Sequence, residues 1–422
     1  MAKPDDPVLA AIYNLKSLQY LAVHSNGLSL ITTGSISLLL RACLPLPKLT
    51  ELRINSRVHS VDIVEDGMDI PDMETIIEEA AVARFSQTPT PGKIKALELP
   101  GRPESSANPL APPLLKSGLL DLESFMVPQF EDDSDPSEVE QLVQESCSNL
   151  KHLKCSISTG YLDNSRHVRA FIRGCSGLRS FVADEFCDQD YNTHNDSYNS
   201  RFVISDLLSH HRETLEVFEL KNCDQVVSGD LQKVLSQCRR LKRFHVSAKF
   251  PDLRGSGHQD GDPGFEIEDA SEGDWVCTEL RELWITLDRK SIFGEDRLYQ
   301  QIGRLEKLEQ LTLDINRRRD PQLYHWGDED CLELGVDMLG ELAGLKNLRS
   351  LRMSSCFCSE MGRPEVEFMH EHWPQLTEIL ILGRKLSNWR TKKHWRWLLS
   401  KKPHLSFSTV GVHQMAEVLH YL

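Results

Sequence analysis

One spaced apolar pattern, L-x-x-L-x-L with other apolar residues allowed, returns along the whole chain. Five of the twelve intervals between successive units are 28 residues, and the others run from 26 to 45. A fixed period of about 20 to 50 residues predicts a repeat architecture, because a single unit cannot bury its own apolar face and must stack on its neighbours. The thirteen units begin at Leu18, Leu49, Ile94, Leu122, Leu150, Leu178, Leu215, Leu241, Leu280, Leu308, Leu348, Leu376 and Leu405.

The unit "LKNCDQVVSGDLQKVLSQCRRLKRFHV", residues 220 to 246, shows what one repeat contains. Phe244 and Val246 alternate with polar residues, as in a half-buried strand. Leu231, Val234 and Leu235 have helical spacing. We therefore expect strand, loop, helix and loop in every unit, an α/β chain whose thirteen strands form one parallel sheet.

Cysteine has a fixed place in this pattern. Cys147, Cys175, Cys238 and Cys277 each stand three residues before the first Leu of a unit, where a small apolar thiol packs well. The chain has eleven cysteines and no recognisable secretory signal, so we expect reduced, buried thiols rather than a disulfide framework.

The 220 to 246 unit resembles the cysteine-containing leucine-rich repeat of ribonuclease-inhibitor-like proteins, as found in the F-box family, and "CSNLKHLKCSI" and "CSGLRSFVADEFC" resemble degenerate copies. The resemblance implies a right-handed solenoid, or horseshoe, with parallel strands on its concave side and helices on its convex side. It also implies substrate selection for a ubiquitin ligase of the Skp–cullin type. We expect no F-box in this chain, because the first repeat begins almost at Met1. A Skp-type adaptor and a cullin are therefore expected as partners only if an F-box is supplied elsewhere.

Composition narrows the partner classes. Of 422 residues 40% are hydrophobic, the formal net charge is -15 and the pI is about 5.5, so nucleic acid is not the expected partner. No stretch has the ~18 uncharged apolar residues of a membrane span, and the N-terminus does not resemble a signal peptide. We expect an intracellular protein, cytoplasmic or nuclear.

The sequence predicts a single solenoid over 1–422, interrupted at three places by inserted loops or extra helices: 56–91, 250–276 and 317–340. Residues 250–276 are rich in Gly and Asp, typical of a loop or of an acidic lid that binds a partner. Segment 383–422 is basic and Trp-rich. We interpret it as a C-terminal cap on the last repeat, with a nucleic-acid or membrane surface as the alternative.

No catalytic motif was found, and we predict no enzyme activity, no cofactor and no metal. His370 and His372 would diverge on a helix, and the Cys356–Cys358 pair has no second pair at zinc-binding spacing. His210 and His211 near Asp206 are expected in a solvated or capping role on a convex helix.

The partner-binding face is predicted from the strand period. Residues that alternate with the buried positions of L-x-x-L-x-L should face the concave groove. Trp284 is expected to be solvent-accessible there, since Trp and Arg dominate binding hot spots; the alternative is that it packs beside 250–276 or on side chains of a neighbouring strand. The predicted partner-binding residues are Trp284, Arg243, His245, Glu282, Arg352, Lys221, Glu219 and Lys154.

The function expected from these features is a non-catalytic protein–protein recognition scaffold, possibly one with F-box-like substrate selection. Two alternatives stay open: a stoichiometric inhibitor of the ribonuclease-inhibitor kind, and a regulator of small GTPases.

Overall fold

The computed structural model divides the chain into two compact units, Met1–Asp184 with Asp190–His211, and Glu185–Gln189 with Arg212–Leu422. The residues it describes are 11–12, 14–24, 39–40, 42–55, 73–87, 93–98, 117, 120–127, 135–156, 165–184, 199–223, 228–248, 273–287, 295–315, 334–354, 357, 361–382 and 393–410.

The first unit holds six parallel strands that pair in chain order. They are β1 (Tyr20–His24), β2 (Glu51–Asn55), β3 (Ile94–Glu98), β4 (Leu120–Val127), β5 (His152–Ser156) and β6 (Ser180–Asp184). Its helices within the described ranges are α1 (Met73–Gln87), α2 (Pro136–Ser146), α3 (Ser165–Gly174) and α4 (Asn199–His211).

The second unit repeats the arrangement with seven parallel strands in chain order. They are β7 (Val217–Cys223), β8 (Arg243–Ala248), β9 (Glu282–Leu287), β10 (Gln310–Ile315), β11 (Ser350–Ser354), β12 (Glu378–Leu382) and β13 (Ser406–Val410). Its helices in the described part are α5 (Ser228–Gln237), α6 (Glu295–Gly303), α7 (Val336–Glu341), followed by the 3₁₀ turn Leu342–Gly344, α8 (Arg363–His372) and α9 (Lys393–Lys401).

A strand lies at every one of the thirteen predicted positions, and the register places equivalent repeat positions side by side. Phe244, Leu283 and Leu311, each the second apolar residue of its unit, are Cα partners in β8, β9 and β10. All three are essentially buried, as are the third apolar residues Ile285 and Leu313. We call these stacked second and third apolar residues the leucine ladder. The prediction of a parallel α/β repeat is confirmed, and the handedness and curvature of a solenoid stay predictions.

The cysteine prediction is confirmed for the positions the structure describes. Cys147, Cys175, Cys238 and Cys277 are buried and not in disulfides. In three of them the carbonyl accepts a hydrogen bond from the first Leu of the following repeat unit, for example from Leu280 N to Cys277 O at 3.0 Å. Burial raises the pKa of the Cys277 thiol to about 12, so it stays protonated and acts as a packing group.

Polar side chains connect the ends of successive repeats. In the first unit, Arg84 of α1 is 1% exposed and donates to the carbonyls of Leu44 (3.0 Å) and Leu49 (2.6 Å). In the second, Lys402 occupies the position that Cys holds in other units, and its Nζ donates to Trp373 O at 2.7 Å. Burial lowers the pKa of Lys402. These cations donate to backbone carbonyls at the turns between repeats, and so help to satisfy buried acceptors there.

The inserted and C-terminal segments are described in part. Helix α1 lies within 56–91, and α7 begins within 317–340. In 383–422, α9 buries Trp395 against Phe407 of β13, with their ring centroids 4.9 Å apart. The acidic stretch of 250–276 up to residue 272 falls outside the described residues.

Candidate functional site

Seven of the eight predicted partner-binding residues lie in the second unit, on strands β7, β8, β9 and β11. Strand register brings six of them into two rows, and Lys221 lies two residues after Glu219 on β7. They alternate with the leucine ladder, on what we call the polar sheet face. The outer row consists of the Cα partners Arg243, Glu282, Gln310, Ser350 and Glu378. The central row consists of Glu219, His245, Trp284, Thr312 and Arg352.

The outer row is charged and partly exposed. Arg243 donates from Nε to Glu282 Oε2 at 2.5 Å and from Nη2 to Glu282 Oε1 at 2.9 Å, a two-point pair between adjacent strands. Its Nη1 donates to Glu219 Oε1 at 3.2 Å, and Lys221 lies 3.7 Å from the other Glu219 oxygen. The hydrogen bond to Glu282 is the main reason that the pKa of Arg243 is raised. Such a partly exposed network of ion pairs can bind the polar groups of a partner.

The central row is closed to solvent, and the prediction that Trp284 is accessible is wrong. Trp284 is 8% exposed and His245 9% exposed. Trp284 is not part of the leucine ladder, whose β9 members are the flanking Leu283 and Ile285. Its ring stacks on that of His245, with centroids 4.1 Å apart and planes 8° apart. The alternative of packing on a neighbouring strand is therefore correct, because parallel strands only about 4.8 Å apart press in-register side chains together.

Burial sets the protonation of His245. The pKa of its ring is lowered to about 3, mainly because burial disfavours the imidazolium and further because of the positive charges of Lys221, Arg243 and Arg352. The ring is neutral at physiological pH. The Cα partner of His245 on β7 is Glu219, whose carboxylate already pairs with Arg243 and Lys221.

Three buried polar atoms of the central row lack hydrogen-bond partners within the part of the chain that the structure describes. They are His245 Nε2, Trp284 Nε1 and Arg352 Nε. Arg352 reaches Glu378 Oε2 only through Nη2, at 3.4 Å, and that carboxylate also accepts from Ser350 Oγ. Most buried polar groups in native proteins are satisfied, so three in one row is an unusual concentration of unused donors.

Lys154, the eighth predicted residue, lies on β5 of the first unit. Its Nζ is 3.2 Å from Glu98 Oε1 on β3, and its side chain is 45% exposed. It alternates along β5 with the buried Leu153 and Cys155, and its role in partner binding stays a prediction.

Sequence reasoning missed Glu378, which pairs with Arg352 and Ser350. The signal was present: the rule that selected Glu282 in "LRELWI" selects Glu378 in "LTEILI". Burial of the central row gave no sequence signal, since it depends on which side chains face each other across strands. Other polar residues that alternate with the leucine ladder are buried as well: Ser247, Thr286, Thr312, Ser350 and Ser354.

The other candidate groups have structural surroundings. His370 and His372 lie on helix α8, where His372 stacks on Phe368 and His370 meets Trp397 edge to face. His211 is buried rather than solvated, and its Nε2 lies 2.7 Å from Ile172 O. Asp206 pairs with Arg169 at 2.7 Å and Arg173 at 2.8 Å, linking α4 to α3.

The described ranges lack both a metal-binding cluster and a membrane-spanning helix. They contain no group of three His, Cys, Asp or Glu side chains placed to hold a metal ion. They contain no helix both long and apolar enough to cross a membrane. Cys356 and Cys358 lie outside the described residues.

No family model and no curated protein matches this sequence.

Proposed function

We propose that the chain is a leucine-rich-repeat solenoid that acts as a non-catalytic scaffold and binds a protein partner through the polar sheet face of its second unit. The observation that supports this most directly is the outer row: polar side chains of five successive repeats, three of them charged, are held in line by strand register, with the Arg243–Glu282 pair fixed at two points. Residues far apart in sequence thus form one continuous polar surface, which is how repeat proteins build extended binding faces.

The charge of the outer row favours a protein over a nucleic acid. Arg243 is neutralised by Glu282 and Glu219, and Arg352 by Glu378, so the face alternates in sign. A polyanion would meet three carboxylates along this surface, whereas a folded protein can present complementary charges of both signs.

Substrate selection for ubiquitination is the more specific form of this proposal. It is supported by the resemblance of the 220 to 246 unit to F-box-associated repeats, and it requires that an F-box be supplied elsewhere. Recovery of a Skp-type adaptor and a cullin with the chain would support this form.

Site-specific photocrosslinking in native cells tests the binding face. A benzophenone amino acid replaces Gln310, exposed in the outer row, and in a matched control it replaces Gln300, exposed on helix α6. We expect one protein partner to be captured from position 310 and not from position 300. Capture from position 300 alone would refute binding by the polar sheet face.

The captured protein, once purified, is then titrated against two charge reversals. Arg243→Glu should weaken binding at least about tenfold, as expected for a charge pair at a binding face. Arg297→Glu, an exposed change on α6, should leave the affinity unchanged. Equal affinities of wild type and Arg243→Glu would contradict the proposal, provided that both variants unfold at the wild-type temperature.

A further inference from the structure

Three buried polar atoms of the central row have no hydrogen-bond partner among the described residues. Trp284 and His245 are more than nine-tenths buried, and each has a ring nitrogen without a partner among the described residues. The same holds for Nε of Arg352, whose side chain is 14% exposed. Thr312 on β10 is the Cα partner of both Trp284 on β9 and Arg352 on β11. The donors therefore lie on one face of the sheet, on β8, β9 and β11.

The unused atoms are mainly donors. Indole Nε1 and guanidinium Nε can donate but cannot accept, and a neutral imidazole carries one N–H whose position follows its partner. The group that completes the row must therefore supply lone pairs. A carboxylate offers about four acceptor sites on two oxygens, enough for one donor from each of two strands.

Charges of both signs surround the row: Glu219 and Glu282 pair with Arg243, and Glu378 pairs with Arg352, so the unused Nε of Arg352 is the group that favours an anionic acceptor. Three cations, Lys221, Arg243 and Arg352, act on the His245 ring. Arg243 already has two carboxylate partners, whereas Arg352 makes one long contact of 3.4 Å and leaves Nε unused. A further carboxylate beside Arg352 would gain a charge-assisted hydrogen bond there, and it would turn an unsatisfied donor into a paired one.

We propose that the central row is a recognition site for the carboxylate of a Glu or Asp side chain on the protein partner, bound by Trp284 Nε1 and Arg352 Nε beside the neutral His245. The proposal rests on the proposed function, since it specifies what the partner must present to the polar sheet face. Because the donor atoms are closed to water in the free chain, binding must move a neighbouring side chain and so change the environment of the Trp284 ring.

The test uses the full chain labelled with 5-fluorotryptophan, and the Trp284→Phe variant identifies the Trp284 signal among the seven tryptophans. The probes are three pools of nonapeptides with randomised flanks and amidated C-termini, which differ only at the central residue: Glu, Gln or phosphoserine. We expect the Glu pool to bind about tenfold more tightly than the Gln pool, and the Trp284 fluorine signal to shift in a saturable way.

Substitutions at Arg352 test whether this residue produces the preference for the Glu pool over the Gln pool. Arg352→Met should abolish the Glu-over-Gln preference, and Arg352→Lys, which keeps the charge without an Nε–H donor, should retain a reduced one. Arg297→Met, an exposed change on helix α6, is the matched control and should keep the full preference. Circular dichroism melting of each variant separates loss of recognition from loss of folding, and a variant that melts early is replaced by Arg352→Gln.

Three results would overturn the inference: equal binding of the Glu and Gln pools, a Trp284 signal that does not move, or tightest binding of the phosphoserine pool, which would indicate a phosphate site instead. Failure here is distinguishable from failure of the proposed function. If the partner still crosslinks from position 310 and loses affinity in Arg243→Glu but not in Arg352→Met, the polar sheet face binds its partner without the central row.

Discussion

Two glycines mark a close approach of successive repeats in the second unit, and replacing one of them tests the packing directly. A Cβ built on Gly303, the last residue of α6, would lie 2.0 Å from the carbonyl oxygen of Glu341 at the end of α7. A Cβ on Gly344 would lie 2.6 Å from the carbonyl oxygen of Gly303. The obstacles are backbone atoms, which cannot rotate away as a side chain would.

The size of the effect follows from these distances. A carbon and a carbonyl oxygen in contact are normally separated by about 3.3 to 3.6 Å. Gly303→Ala therefore forces the ends of α6 and α7 apart by roughly 1 Å or more along the line from the new Cβ to the oxygen. Overpacking of this kind costs about 1 to 3 kcal/mol, more than the roughly 0.5 to 1 kcal/mol that Ala gains over Gly in a helix. We expect a net loss of about 1 to 2 kcal/mol in the free energy of unfolding.

Gly340→Ala is the matched control, because Gly340 is exposed within α7 and a Cβ there meets nothing within 4 Å. It should stabilise the protein by about 0.5 to 1 kcal/mol. The assay is urea unfolding followed by far-ultraviolet circular dichroism. The close-approach argument is refuted if Gly303→Ala unfolds at the same or a higher urea concentration than wild type, or if Gly340→Ala is the less stable of the two.

Three further predictions concern the ladder, the buried cation of the first unit and pH. Leu311→Asp should prevent folding of the second unit, because a charge in the fully buried ladder costs several kcal/mol, whereas Gln310→Asp, one residue away and exposed, should melt near the wild-type temperature. Arg84→Met should cost about 1 to 3 kcal/mol in thermal or urea unfolding, because two carbonyls lose their donor, while Arg53→Met, exposed on β2, should cost little; equal losses would contradict the structural role of Arg84. The folded pKa of His245, about 3, lies below the unfolded value near 6.5, so its neutral ring contributes stability that is full above pH 6.5 and lost as pH falls toward 3. Between pH 6.5 and pH 5.5 wild type should therefore lose about 1 kcal/mol more than His245→Gln, and parallel urea curves at both pH values check this.

The sequence by itself determined the repeat, the strands and their register. The second apolar residue of each unit predicted which side chains would stack, and Phe244, Leu283 and Leu311 do so, because a period of 2 in each strand fixes the buried side and only one register aligns the units. It also predicted the buried cysteines, since their place three residues before each first Leu is a local property of the turn.

Only the tertiary structure decided what happens on the opposite side of the sheet. Alternation alone says that Trp284 points away from the ladder, and it gives no information about the side chain beside it. The neighbour is His245, which lies 39 residues earlier in the sequence. The stacking of the two rings closes both of them to water. Exposure on this face depends on pairs of side chains from different repeats, so it follows from strand packing at about 4.8 Å rather than from any one stretch of sequence.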